Sequence, residues 1–426
     1  MMSPLPASES ASSTKRILGI DWPREITSAE RRTLIAGGLG WMLDAFDVAL
    51  YSLVLAHLMR DFGMSQALGG LLNSLTLIAS AFGGFLFGLV ADRIGRTRSL
   101  IATILIYSIA SGASGLSDTV IQLAIFRFIL GLGMGGEWST GAALIAETWR
   151  AEHRGKALGL MQSAYAIGEM LAAGVVAFVL PRYGWRVVFF VGILPALAIV
   201  WIQRRVPEPE IWKTRVQAKA ESVGRSLRLL WRKDLRRNGV IATAMNASAM
   251  FGYWGLFTWI PAYLSLPMAE GGRGLSLVKT TAWLIVMGLG KWLGYAVFGF
   301  SADVFGRRKS YVTYLLVAAA LVPVYGFARS PLWLLTLGPL VAFFGTGHFS
   351  GFGAIVSEIF PTEIRATAMG VSYNIGRGTS AAAPFVIGLL AHKFGLGPSF
   401  LLLAGAFLVG AVLALALPET KGKELE

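Results

Sequence analysis

The sequence predicts an all-α integral membrane protein with twelve transmembrane helices, arranged as two pseudo-symmetric six-helix bundles. Composition is the first reason, because a chain of 426 residues that is 55% hydrophobic, with a mean hydropathy of +0.61, is too apolar for a soluble protein. The second reason is an internal duplication. The segment 88–96 (GLVADRIGR) recurs 211 positions later as 299–307 (GFSADVFGR), and the same shift carries Glu147 onto Glu358. A constant shift that holds at several positions indicates two related halves.

The first half contains six apolar stretches, each of about the 20 residues that a helix needs to cross a bilayer. A polar, basic tail, residues 1–33, precedes them, and within it Thr27 and Glu30 have the spacing of a capping box at a helix start. Residues 34–204 therefore form the first bundle. Its spans are predicted at 34–58, 68–91, 98–117, 121–146, 155–180 and 186–204.

The second half repeats this pattern after a basic linker, residues 205–238. Residues 239–418 form the second bundle, and residues 419–426 form a short C-terminal tail. The spans of the second bundle are predicted at 239–265, 279–302, 310–328, 332–357, 366–391 and 397–417.

The basic residues predict the orientation, because Lys and Arg are retained on the cytoplasmic side. Of the 38 basic residues, 28 lie in the two tails and in the loops on the same side, against 7 in the opposite loops. We therefore expect a multi-pass protein of the cell (inner) membrane with both termini cytoplasmic. The segment 203–238 alone contains eleven of the basic residues. We expect this segment to set the membrane topology and to attract anionic lipid, and this interpretation is favoured over nucleic-acid binding.

Several kinds of chemistry are excluded. The chain contains no cysteine, so disulfides, thiolate metal sites and thiol catalysis are impossible. It shows no nucleophile–base pair, P-loop or metal-ligand cluster. The sequence therefore predicts neither an enzyme nor a cofactor, and it predicts no direct use of ATP.

The duplicated segment carries a family resemblance. The pattern Gly88…Asp92-Arg93-Ile94-Gly95-Arg96 resembles the signature loop of the major facilitator superfamily, and the segment 127–133 (RFILGLG) resembles its second signature. The resemblance extends from about residue 34 to residue 418. It implies a secondary transporter with two halves and a binding site near the membrane midplane. The second copy departs from the pattern, with Val304 in the place of Arg93.

The resemblance also implies a gating role for charges at the loop end of the helices. In the family, such charges hold the cytoplasmic helix ends together while the outside is open. The alternative is that these charges only stabilise the membrane topology and the helix ends. An interfacial ion pair is worth about 0–1 kcal/mol, which suits a latch that must open. The role is carried over onto Asp92, Arg96, Glu147 and Arg154, and onto Asp303, Arg307, Glu358 and Arg365.

Charged groups at membrane depth are the candidates for substrate binding, because each costs at least about 2.5–3.5 kcal/mol there. The guanidinium of Arg377 can donate two parallel hydrogen bonds to a carboxylate, and the phenol and amide side chains near it in the sequence can donate others. Glu169 and His348 have no charged neighbour in the sequence, and for them a packing role is favoured. The predicted substrate-binding residues are Arg377, Tyr373, Asn374, Lys291, Tyr51 and Tyr253.

A pair of acids in the first span is the candidate for proton transfer. Asp44 and Asp47 are neighbours on one helix, and two close carboxyls in an apolar environment resist joint ionisation. One of them can therefore take up a proton on one side and release it on the other. The alternative is that an Asp pairs with Arg127 or Lys291 and never titrates. The predicted proton-coupling residues are Asp44, Asp47, Glu137 and Arg127.

Three short stretches, 43–47 (LDAFD), 135–138 (GGEW) and 207–212 (PEPEIW), narrow the resemblance to proton symporters of organic acids, which include carriers of lactate, sialate and aromatic acids. We therefore expect symport of a proton with a small organic anion, a monocarboxylate such as lactate or a related acid, by a monomer embedded in membrane lipid. A proton-coupled sugar or drug transporter of the same superfamily is the alternative, and Arg377 and Lys291 favour anions over cations. A receptor that binds solute without moving it would lack the gating charges, which are present in both halves.

Overall fold

The computed structural model describes residues 26–209, 232–360 and 362–420, and these ranges contain no β-strand. Helices occupy nearly all of the first range, and α1 to α4 overlap the first four predicted spans. They are α1 (Ser28–Asp61), α2 (Gln66–Ile94), α3 (Arg96–Ser114), α4 (Val120–Thr148), α5 (Ala151–Val191) and α6 (Ala196–Arg205).

The second half is also helical, with one short 3-10 turn at Met268–Glu270. The helices of this half are α7 (Lys233–Ser265), α8 (Leu277–Phe305), α9 (Arg307–Phe327), α10 (Pro331–Gly347), α11 (Phe349–Ile359), α12 (Thr362–Ser380), α13 (Ala382–Phe394) and α14 (Leu396–Leu415).

The predicted capping box at the start of α1 is confirmed. The backbone N–H of Glu30 donates to Thr27 Oγ1 at 3.2 Å, and the N–H of Thr27 donates back to Glu30 Oε2 at 2.9 Å. In the second half, α7 begins at Lys233, inside the predicted linker. The rest of the N-terminal tail (1–25), most of the linker (210–231) and the last six residues lie outside the described residues.

Several predicted spans are interrupted. Gly184, at φ 76°, breaks the α-helical geometry inside α5, between the predicted spans 155–180 and 186–204. In the second half, His348 separates α10 from α11, and Ala381 separates α12 from α13. Hydropathy does not indicate these breaks, because the sequence remains apolar through them.

The helices pack in two corresponding sets. In the first half α1 packs on α5, and both α2 and α3 pack on α4; in the second half α7 packs on α12, and both α8 and α9 pack on α10. The α2–α4 contact is backbone to backbone, because a side chain at Gly135 would collide with the carbonyl of Ser80. The halves meet where α2 contacts α12 and α13, and where α5 contacts α8.

The outer surface is apolar, as a lipid environment requires. Phe82, Phe178 and Phe300 are 64%, 68% and 74% exposed. By length and composition, 8 helices of the described chain can cross a membrane, and one of them, Lys156–Arg205, contains two predicted spans. The predicted spans at 98–117, 239–265 and 366–391 are largely helical but do not belong to this set.

Candidate functional site

A small cavity lies beside Arg377, between the two halves of the chain. Its walls are almost entirely aromatic and come from α1, α5, α7, α8, α11 and α12. Such walls offer flat apolar surface and a few phenol and indole donors, which suits a small planar ligand. The lining residues are Trp41, Gln162, Tyr165, Tyr253, Trp254, Tyr295, Phe349, Tyr373 and Arg377.

Arg377 is 1% exposed and only partly saturated with hydrogen bonds. Its Nη1 donates to Ser80 Oγ at 2.7 Å, and its Nη2 donates to the hydroxyl of Tyr373 at 3.5 Å. Its Nε has no hydrogen-bond partner among the described residues. Because a guanidinium carries five N–H donors, the group retains donors for an incoming carboxylate.

Two residues that support this site were not predicted. Ser80 on α2 fixes the guanidinium from the opposite half, and Trp138 on α4 stacks on the Tyr373 ring, with centroids 4.1 Å apart and planes 7° apart. Trp138 belongs to one of the motifs that carry the family resemblance, but no spacing rule indicates a stacking partner on α12. Ser80 carries no sequence signal at all.

A second cavity lies beside Lys291 and shares Tyr253 and Trp254 with the first. The Lys291 Nζ lies 2.7 Å from both carboxylate oxygens of Glu169, and the Tyr253 hydroxyl donates to the same carboxylate at 3.4 Å. The expectation that Glu169 stands alone is therefore wrong. Its partner is distant in sequence and lies on the facing helix of the other half. His348, as expected, packs among aromatic rings, including Phe349.

Two predicted substrate-binding residues lie away from both cavities. Tyr51 is completely buried, donates to the carbonyl of Gly69 at 2.7 Å, and faces the guanidinium of Arg127 at 4.6 Å. Asn374 donates to the carbonyl of Gly370 on its own helix at 3.0 Å, and its side chain packs against Gly84 on α2. Sequence spacing placed them near the key charges but could not show which face of the helix each occupies.

The predicted proton-coupling residues form a buried cluster inside the first half. Asp44, Asp47, Arg127 and Glu137 are each at most 2% exposed. Asp47 accepts a hydrogen bond of 2.8 Å from the hydroxyl of Ser111 on α3. The structure contains no ion pair between Arg127 and either Asp, and the Arg127 nitrogens have no hydrogen-bond partner among the described residues. None of the four side chains lines either cavity.

Two acids of this buried cluster nevertheless interact electrostatically with the arginine of the first cavity. Asp44 interacts electrostatically with Arg377 on α12 as well as with Arg127 on α4, and Glu137 interacts with Asp44 and with Arg377. A change in the ionisation of either acid therefore changes the electrostatic potential at Arg377, because such interactions are weakly screened away from water.

At the signature-loop end, each half contains the same ion pair. Arg96 donates to both carboxylate oxygens of Glu147, at 2.9 and 3.2 Å, and Arg307 donates to Glu358 at 3.3 Å. The pairs are related by the 211-residue shift. Each lies within its own half. The side chains of the other predicted gating residues, Asp92, Arg154, Asp303 and Arg365, lie outside the described part of the structure.

A second acid in each half completes the symmetry. Glu208 accepts from the backbone N–H groups of Thr97 and Arg98 at 3.1 and 3.0 Å, and Glu419 accepts from Arg307 and Arg308 at 2.8 and 3.4 Å. Each carboxylate thus caps the helix that follows the signature loop. The same shift relates Pro207-Glu208 to Pro418-Glu419, so the duplication already contained the signal for this contact.

Hydrogen bonds between the halves are concentrated away from the signature loops. Ser74 accepts from the backbone of Phe385 at 3.2 Å, and Asn73 donates to Thr258 at 2.7 Å, both involving the first half of α2. The contact between Ser80 and Arg377 joins the halves further along α2. Hydrogen bonds between the halves therefore extend along the part of α2 that lies away from its signature loop.

Comparison with known proteins identifies similar chains. A family model described as Major Facilitator Superfamily matches residues 38–286 and 266–426. The chain is 33% identical over 415 residues to the "Probable 4-methylmuconolactone transporter" of Cupriavidus pinatubonensis, covering 95% of this chain and 94% of that protein. It is also 33% identical over 387 residues to the cis,cis-muconate transport protein of Acinetobacter baylyi, covering 89% and 92%. A crystal structure of a D-xylose-proton symporter has a similar fold, with a TM-score of 0.75 at 23% identity, over 93% of this chain and 100% of that one.

Proposed function

The chain belongs to the major facilitator superfamily, and from that premise we propose that it is a proton-coupled symporter of a small organic anion, a monocarboxylate or a related acid. We place it in the cell (inner) membrane with both termini cytoplasmic, and assign it twelve transmembrane helices in two six-helix bundles. The paired helix contacts of the two halves support this arrangement, and the basic tails and linker support the orientation.

The observation that carries the proposal is Arg377 in its aromatic cavity. A guanidinium keeps its charge at any working pH, and a buried one with unused donors selects for an anion. Tyr373 and Tyr253 add phenol groups, and the remaining walls are flat and apolar. Lys291 is a weaker candidate for the first contact, because Glu169 already neutralises it.

Proton coupling follows from the acidic cluster beside the cavity. Arg377 cannot release a proton, so an acid must carry it, and Asp44 and Glu137 are buried acids close enough to Arg377 to interact with it electrostatically. Binding a monovalent anion together with one proton adds no net charge to the site. The loaded carrier can then reorient without moving additional charge through the low-dielectric core.

Two relatives support an organic acid as the substrate, because muconate and methylmuconolactone are both unsaturated organic acids. A sugar carrier of the same superfamily is the alternative, since the xylose symporter shares the fold. A neutral sugar, however, gives no reason for a buried arginine with unused donors. We therefore favour the anion.

The ion pairs Arg96–Glu147 and Arg307–Glu358 are proposed to act in gating, as parts of a latch at the cytoplasmic end. With the signature loops cytoplasmic, the structure corresponds to a conformation closed towards the outside. The latch residues would then hold the two halves together when the cytoplasmic end closes.

Uptake into proteoliposomes tests the proposal. A panel of labelled acids, including benzoate and cis,cis-muconate, is supplied with and without an inward proton gradient and without ATP. We expect accumulation of at least one acid only when the gradient is present. Uptake that a protonophore does not reduce, with the membrane potential held fixed, would eliminate symport. Uptake of xylose but of no acid would favour the alternative.

A further inference from the structure

We propose that the cavity beside Lys291 is a second carboxylate-binding position, which Glu169 occupies in this conformation and which one end of a small unsaturated dicarboxylate occupies in the loaded carrier. The inference rests on the proposed function, because it requires the other carboxylate to be held by Arg377. It extends the substrate class from monocarboxylates to acids with a carboxylate at each end.

The Glu169 side chain demonstrates what this position binds. Lys291 contacts both carboxylate oxygens at 2.7 Å, the Tyr253 hydroxyl donates to one of them at 3.4 Å, and the Phe257 ring lies 3.8 Å from the ammonium. These groups form a complete carboxylate site of a cation, a phenol donor and an aromatic wall. The occupant is the end of a flexible side chain on α5, so a free carboxylate can replace it.

The position borders a cavity. Both members of the pair line this cavity, and the Glu169 side chain is 19% exposed. The walls from α1 are Val48, Ala49, Ser52 and Leu53, none of which is charged. An anion entering here therefore meets one cation and one competing carboxylate. It gains a charge pair only if Glu169 leaves Lys291.

The two positions share two lining residues. Tyr253 and Trp254 line both the Arg377 cavity and the Lys291 cavity, and in the loaded carrier the ligand would extend from one cation to the other along these rings. A flat conjugated chain with a carboxylate at each end matches that wall in shape and charge. The pair also joins α5 to α8, so displacement of Glu169 removes an ion pair between the halves when such a ligand binds.

The test compares two unsaturated acids of similar size, cis,cis-muconate with two carboxylates and benzoate with one. Their dissociation constants are measured on the purified full-length protein in detergent, at about pH 7.5, where ordinary carboxyl groups are ionised. In Lys291→Met we expect the muconate affinity to fall about tenfold more than the benzoate affinity. In Glu169→Gln we expect muconate to bind several-fold more tightly, because the competing carboxylate is gone.

Equal losses for both acids in Lys291→Met, or weaker muconate binding in Glu169→Gln, would show that the pair only joins the helices and would overturn the second position. The double variant Glu169→Gln/Lys291→Met removes both charges of the pair. It therefore controls for misfolding that a single unpaired buried charge could cause. It must unfold at the wild-type temperature and bind muconate as weakly as Lys291→Met. Arg377→Lys separates the two proposals: if it weakens neither acid, the proposed function fails, whereas if it weakens both and Lys291→Met shows no difference, only the second position fails.

Discussion

Arg377 on α12 donates a 2.7 Å hydrogen bond to Ser80 on α2, and this contact joins the two halves at the depth of the aromatic cavity. The group proposed to bind the substrate is thus oriented by the opposite half. An anion that draws the guanidinium into the cavity also strains or breaks a contact between the halves. Binding and rearrangement are therefore connected through a single side chain.

The first prediction concerns this guanidinium. Arg377→Lys keeps the charge but loses the two-pronged hydrogen bond, which for charged groups is worth about 1.5–3 kcal/mol. We expect the dissociation constant for the transported acid to rise about tenfold or more. Ser80→Ala is the matched variant, because it removes only the orienting contact, and we expect a smaller loss. Wild-type affinity in Arg377→Lys, measured by direct binding, would refute the assignment.

The second prediction concerns the acids of α1. In Asp44→Asn and Asp47→Asn we expect anion binding to persist, but its pH dependence and proton-driven accumulation to be lost. Exchange of internal for external substrate should survive in at least one of the two variants, because exchange needs no net proton movement. Ser111→Ala is a useful comparison, since it removes the hydrogen bond to Asp47 and keeps both carboxyls. If both Asp variants accumulate substrate like wild type, the proton passes elsewhere.

Much of the helical framework could be predicted from the sequence, because hydropathy and a single constant shift determine where apolar stretches begin and end. The ion pairs Arg96–Glu147 and Arg307–Glu358 could also be anticipated, since both copies recur at the same offset. The Glu169–Lys291 pair could not. It joins residues 122 positions apart on facing helices, and no periodicity in one chain reports which helices face each other.

The side of the helix on which a residue lies could not be predicted from the sequence either. Tyr51 and Asn374 lie close in sequence to the important charges, yet each turns towards a helix contact and away from the cavities. Hydropathy gives little help here, because α1 and α12 are buried on several sides. The sequence did indicate that charged residues at membrane depth are candidates for the site. Arg377 is one of these residues, and it lines the cavity.

The third prediction concerns the ion pairs at the signature-loop end. Glu147→Gln and Glu358→Gln keep the side-chain shape but remove the charge. We expect turnover to fall several-fold while equilibrium affinity changes little, because neither ion pair lines the Arg377 cavity or the Lys291 cavity. Asp118→Asn is the control, since the Arg186–Asp118 pair lies at the opposite end and Asp118 is 82% exposed. Transport rates in proteoliposomes and binding in detergent separate the two effects. A large loss of affinity with a normal transport rate would contradict a gating role.

The fourth prediction concerns the glycines of the two signature loops. Gly95 and Gly306 have φ values of 112° and 106° with ψ near 158° and 152°, a region that other residues occupy only at a cost of about 1–3 kcal/mol. A methyl group at either position would also collide with the capping carboxylate, Glu208 in the first half and Glu419 in the second. We therefore expect Gly95→Ala and Gly306→Ala to lower the thermal unfolding temperature of the purified protein.

The matched controls are Gly88→Ala and Gly299→Ala, which lie in helices with open space around the new methyl group and should be neutral or slightly stabilising. The cap itself is tested by combining Gly95→Ala with Glu208→Gln. Because the methyl group already displaces Glu208, the second change should cost less in the double variant than alone, and the two losses should not add. Additive losses would mean that the strain at Gly95 and the cap on α3 act independently. Unchanged stability in both glycine variants would mean that the loop relaxes to another backbone conformation, and that the paired loops do not constrain the helix ends.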